Sequence, residues 1–132
     1  MNRVVARYAD GRLLKGMTGD FAPGKALFHL SETGAPSGTP PVEVALADLK
    51  AVFFVKDFAG NPEHHERKIF DPLRPPAGRK LRVVFNDGEV IVGSTTGYQP
   101  DRPGFFLEPA DPQSNNERCY VIAAATREVR FL

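Results

Sequence analysis

Four potential metal ligands stand in a row at Glu63-His64-His65-Glu66. Neighbouring side chains in a loop rarely converge on one ion, and the helical spacing that sets two imidazoles on one face is absent. The run reads as a polar turn, with no metal and no cofactor expected. Cys119 is the only cysteine, and a thiol in an apolar run is expected to be buried and structural, because a reactive one needs an electropositive, accessible setting. His29 falls in a strand-like run and is expected on its outer side. No Ser-His-Asp order or phosphate-cradling glycine loop is present, so no catalytic residue is assigned and the chain reads as a non-enzyme. Recognition chemistry remains. Phe53, Phe106 and Tyr120 fall where strand alternation points outward, and an exposed aromatic patch marks a contact surface. Asn115, Asn116 and Arg118 close a polar stretch that begins at Asp111, and Arg102 precedes it; amides and guanidinium groups can read a ligand or peptide.

The elements that must position these residues come in two copies. Residues 4–55 align without a gap on residues 81–132 at a constant offset of 77, with twelve identities in 52 positions. The identical pairs include Asp10/Asp87, Gly11/Gly88, Gly16/Gly93, Phe28/Phe105, Leu30/Leu107 and Phe54/Phe131, and conservative pairs include Phe21/Tyr98 and Lys25/Arg102. Such self-similarity at a fixed period reads as an internal duplication. The expected units are a first repeat over 1–56, a connector over 57–80 rich in Pro and Gly, and a second repeat over 81–132. A unit of this size is marginal alone, so the copies are expected to bury surface against each other.

Gly and Pro punctuate short runs rich in Val, Phe, Ile and Leu, and no long helical period appears, so the chain reads as all-β. Five strands are expected in the first copy, at 4–9, 13–20, 26–31, 42–46 and 51–56. The second copy offers 81–86, 89–97, 104–108, 119–123 and 128–132. Asp10-Gly11 and Asp87-Gly88 signal tight hairpins. Gly16 and Gly93 inside the second strand signal a sharp bend or a close backbone approach. The connector is too long for a tight turn and reads as an extended arm in which Ile69, Phe70 and Leu73 are apolar.

The formal charge is +1, from 17 basic and 16 acidic residues, which gives no global field for nucleic acid or membrane surfaces. The lone cysteine suits a reducing compartment and no membrane-length apolar run occurs, so a cytoplasmic location is expected.

The order of strand, Asp-Gly turn, bent strand and closing strands resembles the Sm-like small barrel, related in shape to the Src-homology barrel. The likeness rests on Tyr8-Ala-Asp-Gly, Gly16, Asp20-Phe21 and Leu49–Val55, repeated at Phe85-Asn-Asp-Gly, Gly93, Gly97-Tyr98 and Thr126–Leu132. It implies two tandem five-stranded barrels packed as a pseudo-twofold dimer within one chain. Sm-like proteins commonly bind RNA, but the Asn of their signature is missing from Ala22–Leu27 and from Gln99–Gly104, and the closing Arg-Gly is absent. The whole chain also resembles an uncharacterised family of bacterial domains that accompany regulatory modules such as PilZ domains, which bind a cyclic dinucleotide. Arg3-Val-Val-Ala-Arg7 matches half of the PilZ signature, while its Asp-x-Ser-x-x-Gly half is absent. The expected function is a non-catalytic bacterial regulatory or protein-interaction module with a protein partner. The alternative is an RNA or cyclic-dinucleotide binder, which would cluster Arg3, Arg7, Arg102 and Arg118.

Overall fold

The computed structural model describes all 132 residues. Ten strands form: β1 Asn2–Tyr8, β2 Leu13–Thr18, β3 Leu27–Glu32, β4 Val42–Ala45, β5 Leu49–Val55, β6 Arg79–Phe85, β7 Val90–Thr95, β8 Gly104–Pro109, β9 Asn116–Ile122 and β10 Thr126–Phe131. Single 3₁₀ turns, Leu46–Asp48 and Ala123–Ala125, join β4 to β5 and β9 to β10. The first three strands and the 3₁₀ turn of each copy start and end at the offset of 77. No helix is long and apolar enough to cross a membrane.

Glycine sets the hairpins and the bend. Gly11 and Gly88 adopt φ +97° and +93°, and their N–H groups close the turns on the Tyr8 and Phe85 carbonyls at 3.1 and 2.9 Å. Only glycine takes that left-handed backbone without strain. At Gly16 an added Cβ would collide with the Ser31 carbonyl, and at Gly93 with the Glu108 carbonyl. The missing side chain is what lets β2 cross closely over β3, and β7 over β8.

The two separate closed barrels expected from the resemblance are not formed. All ten strands join one open antiparallel sheet in the order β10-β6-β7-β8-β9-β5-β1-β2-β3-β4. Neither copy closes its own fourth strand on its fifth. Instead β9, the fourth strand of the second copy, takes the edge of β5, the fifth strand of the first, with Ala51 opposite Val121 and Phe53 opposite Cys119. The junction pairs non-equivalent strands, so the copies are joined head to tail rather than as a twofold dimer, in which equivalent surfaces would meet. The sheet ends at β4, which follows Pro40-Pro41, and at β10, which carries Arg127, Glu128 and Arg130. Proline and charge are the usual protections of an exposed strand edge.

Burial follows from that junction. Residues directly opposite in a sheet share a face, so Val5, Phe53, Cys119 and Leu107 form one row across β1, β5, β9 and β8. Ala6, Val52, Tyr120 and Phe106 form the neighbouring row on the other face. Both faces are covered, and every residue of β5 is buried. A single cluster of 24 buried residues draws on both copies. The connector packs on the second copy. His64 and the Arg67 amide contact Asp111, Glu66 meets Ser114, and Lys80 lies over the Phe70 ring.

Gly93→Ala is expected to destabilise the protein by about 2 kcal/mol or more, the scale of overpacking against an unyielding backbone. Urea unfolding followed by circular dichroism measures it, and a loss below about 0.5 kcal/mol would contradict the close crossing.

Candidate functional site

The repeated aromatic residues build the seam. Phe21, in the loop after β2, meets Phe28 and Phe54 edge-on at 5.3 and 5.4 Å. Its counterpart Tyr98 meets Phe105 and Phe131 at 5.0 and 5.2 Å. The same triplet is thus built twice. In the first copy it is extended across the junction, because Phe21 also meets Phe106 at 6.0 Å and Tyr120 at 5.4 Å. Edge-to-face pairs of this kind add about 0.5–1.5 kcal/mol each beyond their buried area.

Beside this cluster the seam opens into a groove of about 700 Å³. Its walls are the two equivalent β2–β3 and β7–β8 loops, represented by Pro23–Ala26 and by Thr96, Gly97 and Arg102–Gly104, together with Leu46 and Ala47 of the first 3₁₀ turn. Phe105, Phe106, Tyr120 and Ile122 lie at its base, and of these only Phe106 is partly exposed. The charged groups lining it are Lys25 and Arg102, one from each copy at equivalent positions, and no carboxylate is among them. Burial raises the Tyr120 phenol pKa while the Arg102 charge opposes that shift, and the hydroxyl points to the Pro23 carbonyl at 3.5 Å. Arg102 is braced by its Nε, which donates to Gln99 Oε1 at 3.1 Å.

Three of the seven residues singled out in the sequence meet in this groove: Arg102, Phe106 and Tyr120. The outward placement expected for the aromatics is corrected. Tyr120 is 2% exposed, packed against the Phe21 and Phe106 rings, and Phe53 is 5% exposed, in register with Cys119 of β9. Phe53 points to the face opposite the groove, where Arg7 lies 5.7 Å from its ring. Arg118 stacks over Phe54 and Phe106 at 4.4 and 4.6 Å, against the same aromatic cluster but outside the groove lining. Asn115 and Asn116 line a separate polar cleft with Lys56, Asp57, Asn61 and His64. There the Asn115 amide is spent on the chain itself, donating to the Asp57 carbonyl at 2.8 Å and accepting from the Asp57 N–H at 3.1 Å. Lys25 was not singled out; the signal for it was its pairing with Arg102 at the repeat offset.

The other chemistry-bearing groups are held in structural roles. Cys119 is buried, and burial, reinforced by the Glu66 and Glu89 charges, pushes its thiol far up. His29 is exposed, and its ring and backbone N–H contact Asp20 at 2.7 and 2.9 Å. That N–H, followed by the ring, draws the Asp20 carboxyl down to about 2. Within Glu63–Glu66, His64 reaches Asp111 at 2.8 Å. Burial would raise the Asp111 carboxyl, but the N–H groups of Arg67 and Gln113 and the His64 ring outweigh it and hold it low. At the far side of the junction the buried Lys50 bridges to Asp87 at 2.7 Å and to Glu89, and lies 4.7 Å from the Phe85 ring. The Lys50 ammonium, then the Glu89 N–H, hold the Asp87 carboxyl below its ordinary range.

Fold and site together define an all-β protein of one open ten-stranded antiparallel sheet, with a mostly apolar, cation-bearing groove beside the β5–β9 junction. Over residues 1–132 the chain matches, and belongs to, a family of unknown function (DUF6982). Neither a curated protein nor a solved structure matches it.

Two outcomes are expected from these contacts. Cys119 will stay unmodified by a thiol reagent such as Ellman's in the native protein and react fully in denaturant; fast native labelling would contradict its burial. Because the folded Asp87 carboxyl is depressed, its stabilising contribution is complete above the ordinary carboxylate pKa and is lost as pH falls through the folded value. Lys50→Met should cost about 1 kcal/mol at neutral pH and flatten the acid dependence of Tm. An unchanged acid profile would rule the bridge out as its source.

Proposed function

We propose that this protein is a non-catalytic regulatory module of the bacterial cytoplasm that recognises a protein partner through the seam groove. The observation that carries the reading is the groove itself. Its size falls in the range of ordinary recognition sites, and such sites are mainly apolar with a few placed polar groups. The lining brings together small residues, five larger apolar or aromatic side chains and two cations. It offers no carboxylate, imidazole or thiol to transfer a proton or attack a substrate, which suits recognition over catalysis.

The polynucleotide reading draws less support. Of the arginines it would cluster, Arg3 donates to the Lys56 carbonyl at 2.7 Å, Arg7 lies over Phe53, and Arg118 stacks on Phe54 and Phe106. Each is engaged with a different part of the chain, and only Arg102 reaches the groove.

Selection from a random peptide library displayed on phage, using the intact chain as bait, tests the proposal. Enriched peptides should shift the amide resonances of Ala26, Leu46, Gly104 and Ile122. Gly24→Trp, at a groove wall where an added side chain meets open space, should weaken them at least tenfold. Binders that shift only resonances remote from the seam, or no binders at all, would remove the proposal.

A further inference from the structure

The charge pattern of the groove points to the chemistry of its occupant. We infer that the segment it takes is acidic: an apolar or aromatic side chain seated against Phe106 and the exposed Pro23, Ala26 and Pro103 of the loops, with carboxylates beside it that reach Lys25 and Arg102. This rests on the groove being the recognition site and adds what it selects.

The two cations are not incidental surface charge. They stand at equivalent positions of equivalent loops, one in each copy, and the head-to-tail junction is what brings both loops to one groove. The first copy alone would present a single cation with none of the aromatic side chains, and the second a single cation beside Phe106 and Tyr120. Neither Lys25 nor Arg102 lies within ion-pair distance of a carboxylate of the chain, although Asp101 precedes Arg102 in sequence. Arg102 uses Nε on Gln99, which fixes the guanidinium plane and leaves its terminal N–H groups to form a forked pair with an incoming carboxylate. Lys25 is exposed on its loop and acts as a point charge that tolerates variation in the partner's geometry.

Acidic and apolar groups would then divide the work. The apolar anchor supplies most of the affinity, because apolar side chains outnumber the two cations in the lining and burial of such surface is the main favourable contribution. The cations supply selection against basic segments, which would place like charges beside Lys25 and Arg102. A protein segment is favoured over a nucleic acid because the groove carries two cations rather than the track of phosphate contacts that drives polynucleotide binding.

The probes are three synthetic hexapeptides with blocked ends and a common Phe-Leu centre, flanked by Glu, Gln or Lys, with polyuridylate as a fourth. Fluorescence anisotropy on the intact chain reads their affinity. The Glu peptide should bind at least tenfold more tightly than the Gln peptide, lose affinity with added salt, and outcompete the Lys peptide. The double variant Lys25→Glu with Arg102→Glu, both at exposed positions, should reverse the order and favour the Lys peptide, while circular dichroism and Tm remain those of the parent. Equal binding of Glu and Gln peptides, or an order that the double variant leaves unchanged, overturns the acidic assignment while groove recognition stands. Tight polyuridylate binding that displaces the Glu peptide overturns the protein-segment assignment. If no peptide binds and the phage selection is also empty, both readings fall together.

Discussion

The strand that everything else depends on is β5, because it is covered on both faces and paired on both edges. Its seven residues, Leu49–Val55, are all buried, with β1 on one side and β9 on the other. A strand in the middle of a doubly covered sheet needs apolar side chains in both alternating sets, and Ala51-Val52-Phe53-Phe54-Val55 supplies them. Without β9, Phe53 would lose the strand that sits opposite it through Cys119. Without β5, β9 would be an edge strand carrying Cys119 and Tyr120. The copies are therefore two halves of one core, consistent with the difficulty of stabilising so small a unit alone.

The same junction creates the place where recognition is proposed. Joining the copies head to tail sets the Lys25 loop of one and the Arg102 loop of the other around shared aromatic side chains. Phe21 ties the arrangement together by packing on Phe28 and Phe54 of its own copy and on Phe106 and Tyr120 of the other. The corresponding Tyr98 has only its own triplet to meet. Asymmetry between similar copies is thus concentrated at the seam, with an aromatic lock and a groove beside it.

Local structure was legible in the sequence to the extent that it depends on local rules. Each of the ten strands overlaps an expected apolar run, although β1, β5, β6, β9 and β10 begin two or three residues earlier and β9 takes in Asn116-Glu117-Arg118 of the expected polar loop. Gly11, Gly88, Gly16 and Gly93 occupy the turns and crossings that their lack of a side chain implied. The linkage of the copies was not legible, since a strand edge satisfied inside a copy and one satisfied by its neighbour look alike in sequence. Phe53 shows the difference. Its alternation phase pointed away from the first copy's core, which was correct, but the far side is covered rather than open. The unbroken apolar run of β5, set against the alternating Glu128-Val129-Arg130-Phe131 of β10, carried that information. Arg102, Phe106 and Tyr120 were found as a group because they differ from their counterparts or stand beside loops. Asn115 stands apart from them, its amide engaged with the Asp57 backbone, a use of a loop amide that residue type alone does not reveal.

Native-state hydrogen exchange tests the shared core most directly. If β5 and β9 hold the copies as one cooperative unit, the slowest amides of β1, β5, β6 and β9 will all exchange through the same global opening. They will then report one common free energy that shifts together with added denaturant. Two separate plateaus, with β6–β9 amides protected by a free energy distinct from that of β1–β5, would contradict the account and divide the protein into two independent domains.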